Sequence, residues 1–221
     1  MTHPQEDKHP STVEASSVAS PAIGSLTVDS PGIDSSTIDR AVRAAGFNDS
    51  KRARALLRSK ELTNIDHVRV LEALRATADP DMALLNVIRL LERVPSLAET
   101  VEDPQRNQPL FMLAGASEAL IDFVLRHPDQ AEAFSIARPS EYEPSDPSGL
   151  RAKMLTAVGA DPQSDVPIAA VADDATVAAL RVAYRAELLD TAMKDVCADD
   201  AAESVRMVAA ELADLAAAAV D

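Results

Sequence analysis

The strongest pattern of apolar positions lies between residues 110 and 134. Five residues there recur at helical spacing and form one apolar stripe: Ala116, Leu120, Phe123, Val124 and His127. Ser117 suits the N-cap of this helix, and Pro128 suits the first position of the next one. Residues 110–134 also hold three of the four Phe residues, whose side chains are the largest core-fillers of a chain without Trp. The pattern predicts a helix, a tight turn and a second helix at the centre of the core.

Shorter apolar stripes precede this region, and each predicts a short helix. Residues that suit N-caps mark where these helices begin: Ser35–Ser36, Asn48–Asp49–Ser50, Asp66 and Asp79. The last of them opens a helix that ends before Pro95. Connections of two to eight residues between such helices are typical of helical bundles.

Two long helices are predicted to close the chain, over residues 174–196 and from 199 to the end. The first carries a wide apolar stripe, which indicates contact with more than one neighbour. Its members are Val177, Leu180, Tyr184, Leu188, Leu189, Ala192, Met193 and Val196. Asp190 and Lys194 stand four apart on this helix and are predicted to form a surface ion pair. The second helix shows a packing seam, which comprises Val205, Val208, Leu212, Leu215 and Ala219.

These patterns predict an all-α fold: an irregular multi-helix bundle that ends in two long antiparallel helices. Residues 1–35 are rich in Ser, Thr and Pro without apolar periodicity, and we expect a disordered tail there. The predicted organisation then continues with a bundle of short helices over 36–158, a linker over 159–173 and the two long helices over 174–221. Composition agrees, because aromatic residues make up only 3% and Ala, Leu and Val dominate.

Charge excludes several classes of function. The net charge of −15 opposes binding to nucleic acid or to anionic membranes, and this includes a DNA-binding helix-turn-helix function. No apolar run approaches the roughly 18–20 residues that a membrane span needs, and the N-terminus does not look like a signal peptide. The single cysteine, Cys197, excludes an internal disulfide and a Cys-based zinc site. We therefore expect a cytoplasmic protein.

Four groups of residues could carry chemistry, and each has a simpler explanation. His3 and His9 could bind a metal ion, but they lie in the predicted tail. Asp79–Pro80–Asp81 could hold magnesium, but a helix N-cap, a first-position Pro and a first-turn acid explain all three residues. His127 is interpreted as a packing or capping residue, because the sequence offers it no partner and no cleft. Cys197 is interpreted as structural, because its acidic neighbours disfavour a thiolate. The residues themselves therefore indicate no catalytic, cofactor-binding or metal site.

Several motifs together resemble one enzyme family, the glutamine synthetase adenylyltransferases. Residues 114–123 read AGASEALIDF and are followed at 126–129 by RHPD; they resemble the family's L-x-G-x-S-E-x-L-x-D-F and R-H-P-E. Residues 184–196 and 211–216 resemble two further helices of the family, and residues 79–90 resemble its D-P-D-x-A-L-x-x-L-x-R-L. The order and spacing match from about residue 38 to 221. Asp190 and Lys194 depart from the pattern, since the family has Arg at both positions.

The resemblance implies a part in nitrogen regulation. The family adds AMP to glutamine synthetase from ATP and removes it by phosphorolysis, under control of a PII-type signalling protein. Both activities use magnesium and a nucleotidyltransferase core with Gly-Gly and Ser-Asp-x-Asp motifs, which follows the region that this chain resembles. The chain has no Gly-Gly pair, so we expect a truncated, inactive N-terminal segment with no cofactor of its own. The alternative is a free-standing helical adaptor or decoy that binds a partner through the seam of its last helix.

Overall fold

The computed structural model describes residues 35–103, 106–136 and 141–220, and these ranges form a succession of helices. These ranges contain no β-strand, so the all-α prediction is confirmed for them. The predicted tail and its His3 and His9 lie outside the described residues, apart from Ser35.

The helices are short in the first two thirds of the chain and long at its end. They are α1 (Ser35–Ala44), α2 (Ser50–Leu57), α3 (His67–Leu74), α4 (Pro80–Arg93), α5 (Ala98–Glu102), α6 (Asn107–Ala114), α7 (Glu118–Arg126), α8 (Pro147–Ala157), α9 (Asp174–Cys197) and α10 (Ala201–Val220). Short 3₁₀ turns occupy Lys60–Leu62, Pro95–Leu97 and Pro128–Ser135.

Side-chain caps begin the helices where the sequence predicts them. The carboxylate of Asp49 accepts the amide of Arg52 at 2.9 Å, and that of Asp66 accepts the amide of Val68 at 2.9 Å. The hydroxyl of Ser117 caps α7 by accepting the Leu120 amide at 3.3 Å. These bonds satisfy amides that have no partner within the first turn of a helix. The predicted caps of α2, α3 and α7 are therefore confirmed.

The main core forms around α4, α6 and α7. Phe111, Phe123 and Phe134 are at most 1% exposed, which confirms the predicted packing centre. Gly115, at the end of α6, lies directly against the turn that precedes α4. A Cβ at this position would stand 2.9 Å from the Cβ of Thr77 and 3.1 Å from the carbonyl oxygen of Asp79. The absence of a side chain at Gly115 thus permits the close approach of α6 to α4.

A smaller core joins the last three helices. Its buried members are Leu150 and Met154 of α8 with Leu215 and Ala218 of α10. Helix α9 contributes to both cores, because Leu189 and Met193 are buried in the main one while Leu180 and Tyr184 pack against the smaller one. The prediction that the α9 stripe meets more than one neighbour is confirmed.

The predicted packing seam of the last helix is only partly correct. Leu215 is fully buried, but Val205 is 62% exposed. The buried residues of α10 are Ser204, Glu211, Leu215 and Ala218. Two of these four residues are polar, so a pattern built on apolar residues alone places the inner face about one residue out of register. The hydrogen bonds of Ser204 and Glu211 explain why polar side chains are tolerated there.

No single helix in the described ranges is both long enough and apolar enough to cross a membrane. Helices α6 and α7 meet the length and composition criteria only as a pair, and the chain bends by 114° between them.

Candidate functional site

A buried carboxylate, that of Glu211, is the centre of the densest polar cluster in the described residues. Glu211 lies in the middle of α10 and is 2% exposed. Its Oε2 accepts hydrogen bonds from the hydroxyl of Tyr142 at 2.7 Å and from the backbone amide of Ser145 at 3.2 Å. Its Oε1 accepts from the hydroxyl of Thr191 at 2.9 Å and from Nζ of Lys194 at 3.1 Å. We call these five residues the Glu211 network.

Lys194 supplies the positive charge of the network. Besides Glu211, it contacts Oδ2 of Asp190 at 3.0 Å and donates to the hydroxyl of Ser145 at 2.8 Å. Its side chain is only 16% exposed. The predicted pair with Asp190 is present, but its description as a surface pair is wrong, because the ammonium group lies between α9 and the buried Glu211. Helical spacing identified the partner on the same helix and could not identify the one on α10.

The network holds Glu211 in its ionised form. Burial by itself would raise the pKa of this carboxyl, but the hydrogen bonds from Tyr142, Thr191 and Lys194 outweigh burial and lower the pKa to about 2. The pKa of Tyr142 is raised by its own burial and by its hydrogen bond to the Glu211 carboxylate. At neutral pH the carboxylate is therefore charged and the phenol keeps its proton.

This arrangement is suited to holding structure rather than to catalysis. Four donors occupy the carboxylate of Glu211, so no oxygen remains available to act as a general base or to bind a ligand. Thr191 and Lys194 donate from α9, and Tyr142 and Ser145 donate from the segment before α8. The network therefore fixes α10 against α9 and against this segment at the same time.

Sequence reasoning missed the network as a whole. Glu211 is recognised from the sequence only as part of a motif, and the sequence assigns no role to Tyr142, which is only 5% exposed. Its segment shows no apolar periodicity that would predict burial, and the hydrogen bond to Glu211 holds the ring inside. A signal existed: Glu211 stands four residues before Leu215 on the packing side of α10.

The Asp79–Pro80–Asp81 motif starts α4, as predicted. The Asp79 carboxylate accepts the amide of Met82 at 2.9 Å, and Pro80 occupies the first turn. The Asp81 carboxylate accepts the amide of Asn48 at 2.7 Å and that of Asp49 at 3.4 Å, which ties α4 to the turn before α2. Backbone amides thus engage both carboxylates, and the described residues include no group of three side chains arranged to hold a metal ion. The predicted capping role accounts for these residues, and we derive no metal-dependent step from them.

His127 and Cys197 both lie at the ends of helices. The backbone N–H of His127 donates to the carbonyl of Phe123 at 2.9 Å at the end of α7, and its ring lies 5.0 Å from the ring of Phe123. This confirms the interpretation of His127 as a capping and packing residue. Cys197 is the last residue of α9 and is partly buried.

A second polar cluster links α4 to α6 and α7. The side chain of Asn86 is buried, and its amide donates to the carbonyl of Ala114 at 2.9 Å. Arg89 donates to the side-chain oxygen of Asn86 at 3.0 Å and forms an ion pair with Asp122 at 2.7 Å. This cluster fixes the orientation of α7 on α4, close to the motif that contains Gly115.

Curated proteins similar to this chain carry one shared description. The bifunctional glutamine synthetase adenylyltransferase/adenylyl-removing enzyme of Streptomyces avermitilis is 39% identical over 193 residues, which are 83% of this chain and 17% of that protein. The enzymes of the same description from Leifsonia xyli and Bifidobacterium longum are 39% and 34% identical over 80% of the chain, again over 17% of their own length. The resemblance drawn from the motifs is confirmed.

The chain thus spans about a sixth of the length of the curated relatives that it matches. The search against family models found no match. No solved structure matches the chain.

Proposed function

The chain is homologous to a segment of the bifunctional glutamine synthetase adenylyltransferase/adenylyl-removing enzymes, and from this premise we propose that it acts as a non-catalytic helical segment of such an enzyme. Its task is to support a nucleotidyltransferase core in the orientation needed for AMP transfer. The observation that carries the proposal is the 34–39% identity over about four fifths of the chain.

The polar clusters of the chain support a scaffolding role. Glu211 is fully occupied by donors from α9 and from the 142–145 segment, and Asp79 and Asp81 are occupied by backbone amides. Each cluster joins helices and leaves no evident reacting group. A rigid helical support of this kind would determine the direction in which α10 points towards the remainder of an enzyme.

Under this proposal, cofactors and partners belong to the assembled enzyme. ATP, phosphate and magnesium would be bound by the nucleotidyltransferase core, and glutamine synthetase would be the substrate protein. A PII-type protein would regulate the enzyme, and all of these events would take place in the cytoplasm.

Two measurements test the proposal. In the first, the isolated chain is incubated with AMP-modified glutamine synthetase, phosphate and magnesium, and we expect no release of ADP. In the second, this chain replaces the matching segment of the Streptomyces avermitilis relative, and a deletion of that segment serves as the reference. We expect the replacement to restore AMP removal that the deletion loses. ADP release by the isolated chain, or a replacement no more active than the deletion, would contradict the proposal.

The alternative of a free-standing adaptor is not favoured. It relied on an exposed seam along α10, but the seam residues do not form one exposed face, because Leu215 is buried in the smaller core while Val205 is 62% exposed. The comparisons also point to enzymes rather than to adaptors.

A further inference from the structure

Exposed large apolar side chains are concentrated between α8 and the first turn of α9. Val166, Ile168, Val171 and Val177 are 71%, 74%, 56% and 45% exposed, and they lie within twelve consecutive residues. Only four other large apolar residues in the described ranges are comparably exposed, and these are scattered: Val68, Ile136, Val205 and Val220. Grouped exposed apolar residues call for an explanation, such as an interaction surface, whereas single scattered ones do not. We call these four residues the 166–177 surface.

Backbone and cap hydrogen bonds anchor this surface at both of its ends. The amide of Ala170 donates to the carbonyl of Val158 at 3.2 Å, which fastens the segment to the end of α8. Gly159, at φ +72°, lets the chain turn there, and Pro167 restricts the backbone between Val166 and Ile168. At its other end, the Asp173 carboxylate caps α9 by accepting the Thr176 amide at 2.8 Å. The apolar side chains are therefore presented by an anchored segment.

We propose that the 166–177 surface is the docking face for the part of the enzyme that lies outside the matched segment. This inference rests on the proposed function. Its first support is length: the matched segment is 17% of the relatives, so in those enzymes most of the polypeptide lies outside it. Its second support is that neither core includes any of the four residues of the surface, so no helix of this chain covers them.

The acidic residues near the 166–177 surface indicate what kind of partner surface would complement it. Four exposed acidic residues lie before or between the apolar residues along the chain: Asp161, Asp165, Asp173 and Asp174. An apolar centre with an acidic rim is complementary to an apolar patch with a basic rim. The proposal therefore commits to a surface of that kind on the remaining polypeptide of the same enzyme. A second copy of this chain would place acidic rims against each other, which is unfavourable.

Amide hydrogen exchange tests the proposal in two proteins: the isolated chain and the Streptomyces avermitilis relative that carries this chain in place of its own segment. We expect exchange across residues 161–173 to be about tenfold slower in the replacement enzyme, because docking shields the segment. The double substitution Val166→Ser and Ile168→Ser should abolish that slowing. Ile136→Ser, at a residue 55% exposed elsewhere, is the matched control and should leave it intact. Circular dichroism of each variant chain checks that its fold is unchanged.

The outcomes separate this inference from the proposed function. An active replacement enzyme with unchanged exchange over 161–173 would overturn the docking face and leave the proposed function standing. A replacement as inactive as the deletion would overturn both. Sedimentation of the isolated chain tests the second-copy occupant: self-association that Val166→Ser and Ile168→Ser abolish would show that the surface pairs copies of this chain and would also overturn the proposal.

Discussion

Replacing Glu211 by Gln removes the negative charge from the buried network while nearly preserving its shape. The amide can accept at one end only, so two of the four donors lose their acceptor, and Lys194 keeps only Asp190 as a counter-ion. Breaking a buried ion pair from one side costs about 3–5 kcal/mol. Because Lys194 retains Asp190 and some exposure, we expect the lower end of this range for the loss in free energy of unfolding at pH 7.

The pKa of Glu211 gives an independent figure for the same loss. It falls from the usual 4.5 to about 2 in the folded chain. At about 1.4 kcal/mol per pKa unit, the ionised form of Glu211 stabilises the folded state by about 3 kcal/mol relative to the protonated form. Because the folded pKa is the lower one, this stabilisation is complete above about pH 5 and is lost as the pH falls towards 2. The difference between the wild-type chain and Glu211→Gln should therefore shrink over that range.

Urea denaturation followed by circular dichroism measures this difference at pH 7, 4 and 3. We expect a gap of about 3 kcal/mol at pH 7 and a steadily smaller one at each lower pH. Glu72→Gln, at an exposed position of α3, is the control and should change the free energy by less than about 0.5 kcal/mol at every pH. A gap for Glu211→Gln that stays constant from pH 7 to pH 3 would refute the electrostatic reasoning, even if the substitution were destabilising.

Substitutions at Gly115, Asn86 and Asp79 test the packing around α4, two of them with a comparison substitution. Gly115→Ala should lower the free energy of unfolding by about 1–3 kcal/mol in chemical denaturation, because its Cβ would overlap the turn before α4. Gly149→Ala in α8 is the comparison: its Cβ would come no closer than 3.6 Å to a neighbour, the carboxylate of the N-cap Asp146, so this substitution should instead be stabilising. Asn86→Ala should cost about 1–3 kcal/mol in the same assay by leaving the buried carbonyl of Ala114 unpaired, and a loss below 0.5 kcal/mol would contradict this. Asp79→Ala should lower stability by about 1 kcal/mol and Asp79→Ser should restore most of it; equal losses in thermal melts would argue against a capping role.

The local features of the fold could be predicted from the sequence, whereas contacts between distant residues could not. Caps such as Asp49 and Ser117 satisfy amides two or three residues away, so the local sequence is sufficient to predict them. The partner of Asp122 is Arg89, 33 residues earlier, although Arg126 stands at the favourable helical spacing. Helical spacing reveals which residues share a face, but it carries no information about what packs opposite that face.

Two exposed valines show that the spacing of apolar residues also fails to predict which of them are buried. Val177 was predicted to belong to the packing stripe of α9, but it lies in the first turn, ahead of the residues that meet the two cores. Val205 was predicted to belong to the α10 seam, but the neighbouring Ser204 faces inward and places it on the outer side. When a polar residue lies on the inner face, the buried side of a helix therefore differs from the side that the apolar residues alone predict.

The residues that carry the family resemblance have visible structural reasons. Gly115 permits a close approach, Ser117 caps α7, Asp122 pairs with α4 and Glu211 fastens α10. None of them requires a substrate to explain its chemistry. The motifs are therefore informative about how the helices pack, and they indicate a catalytic function only through the enzymes that share them. For this reason, the decisive experiments measure what the packed helices do to an attached enzyme, rather than what the chain does alone.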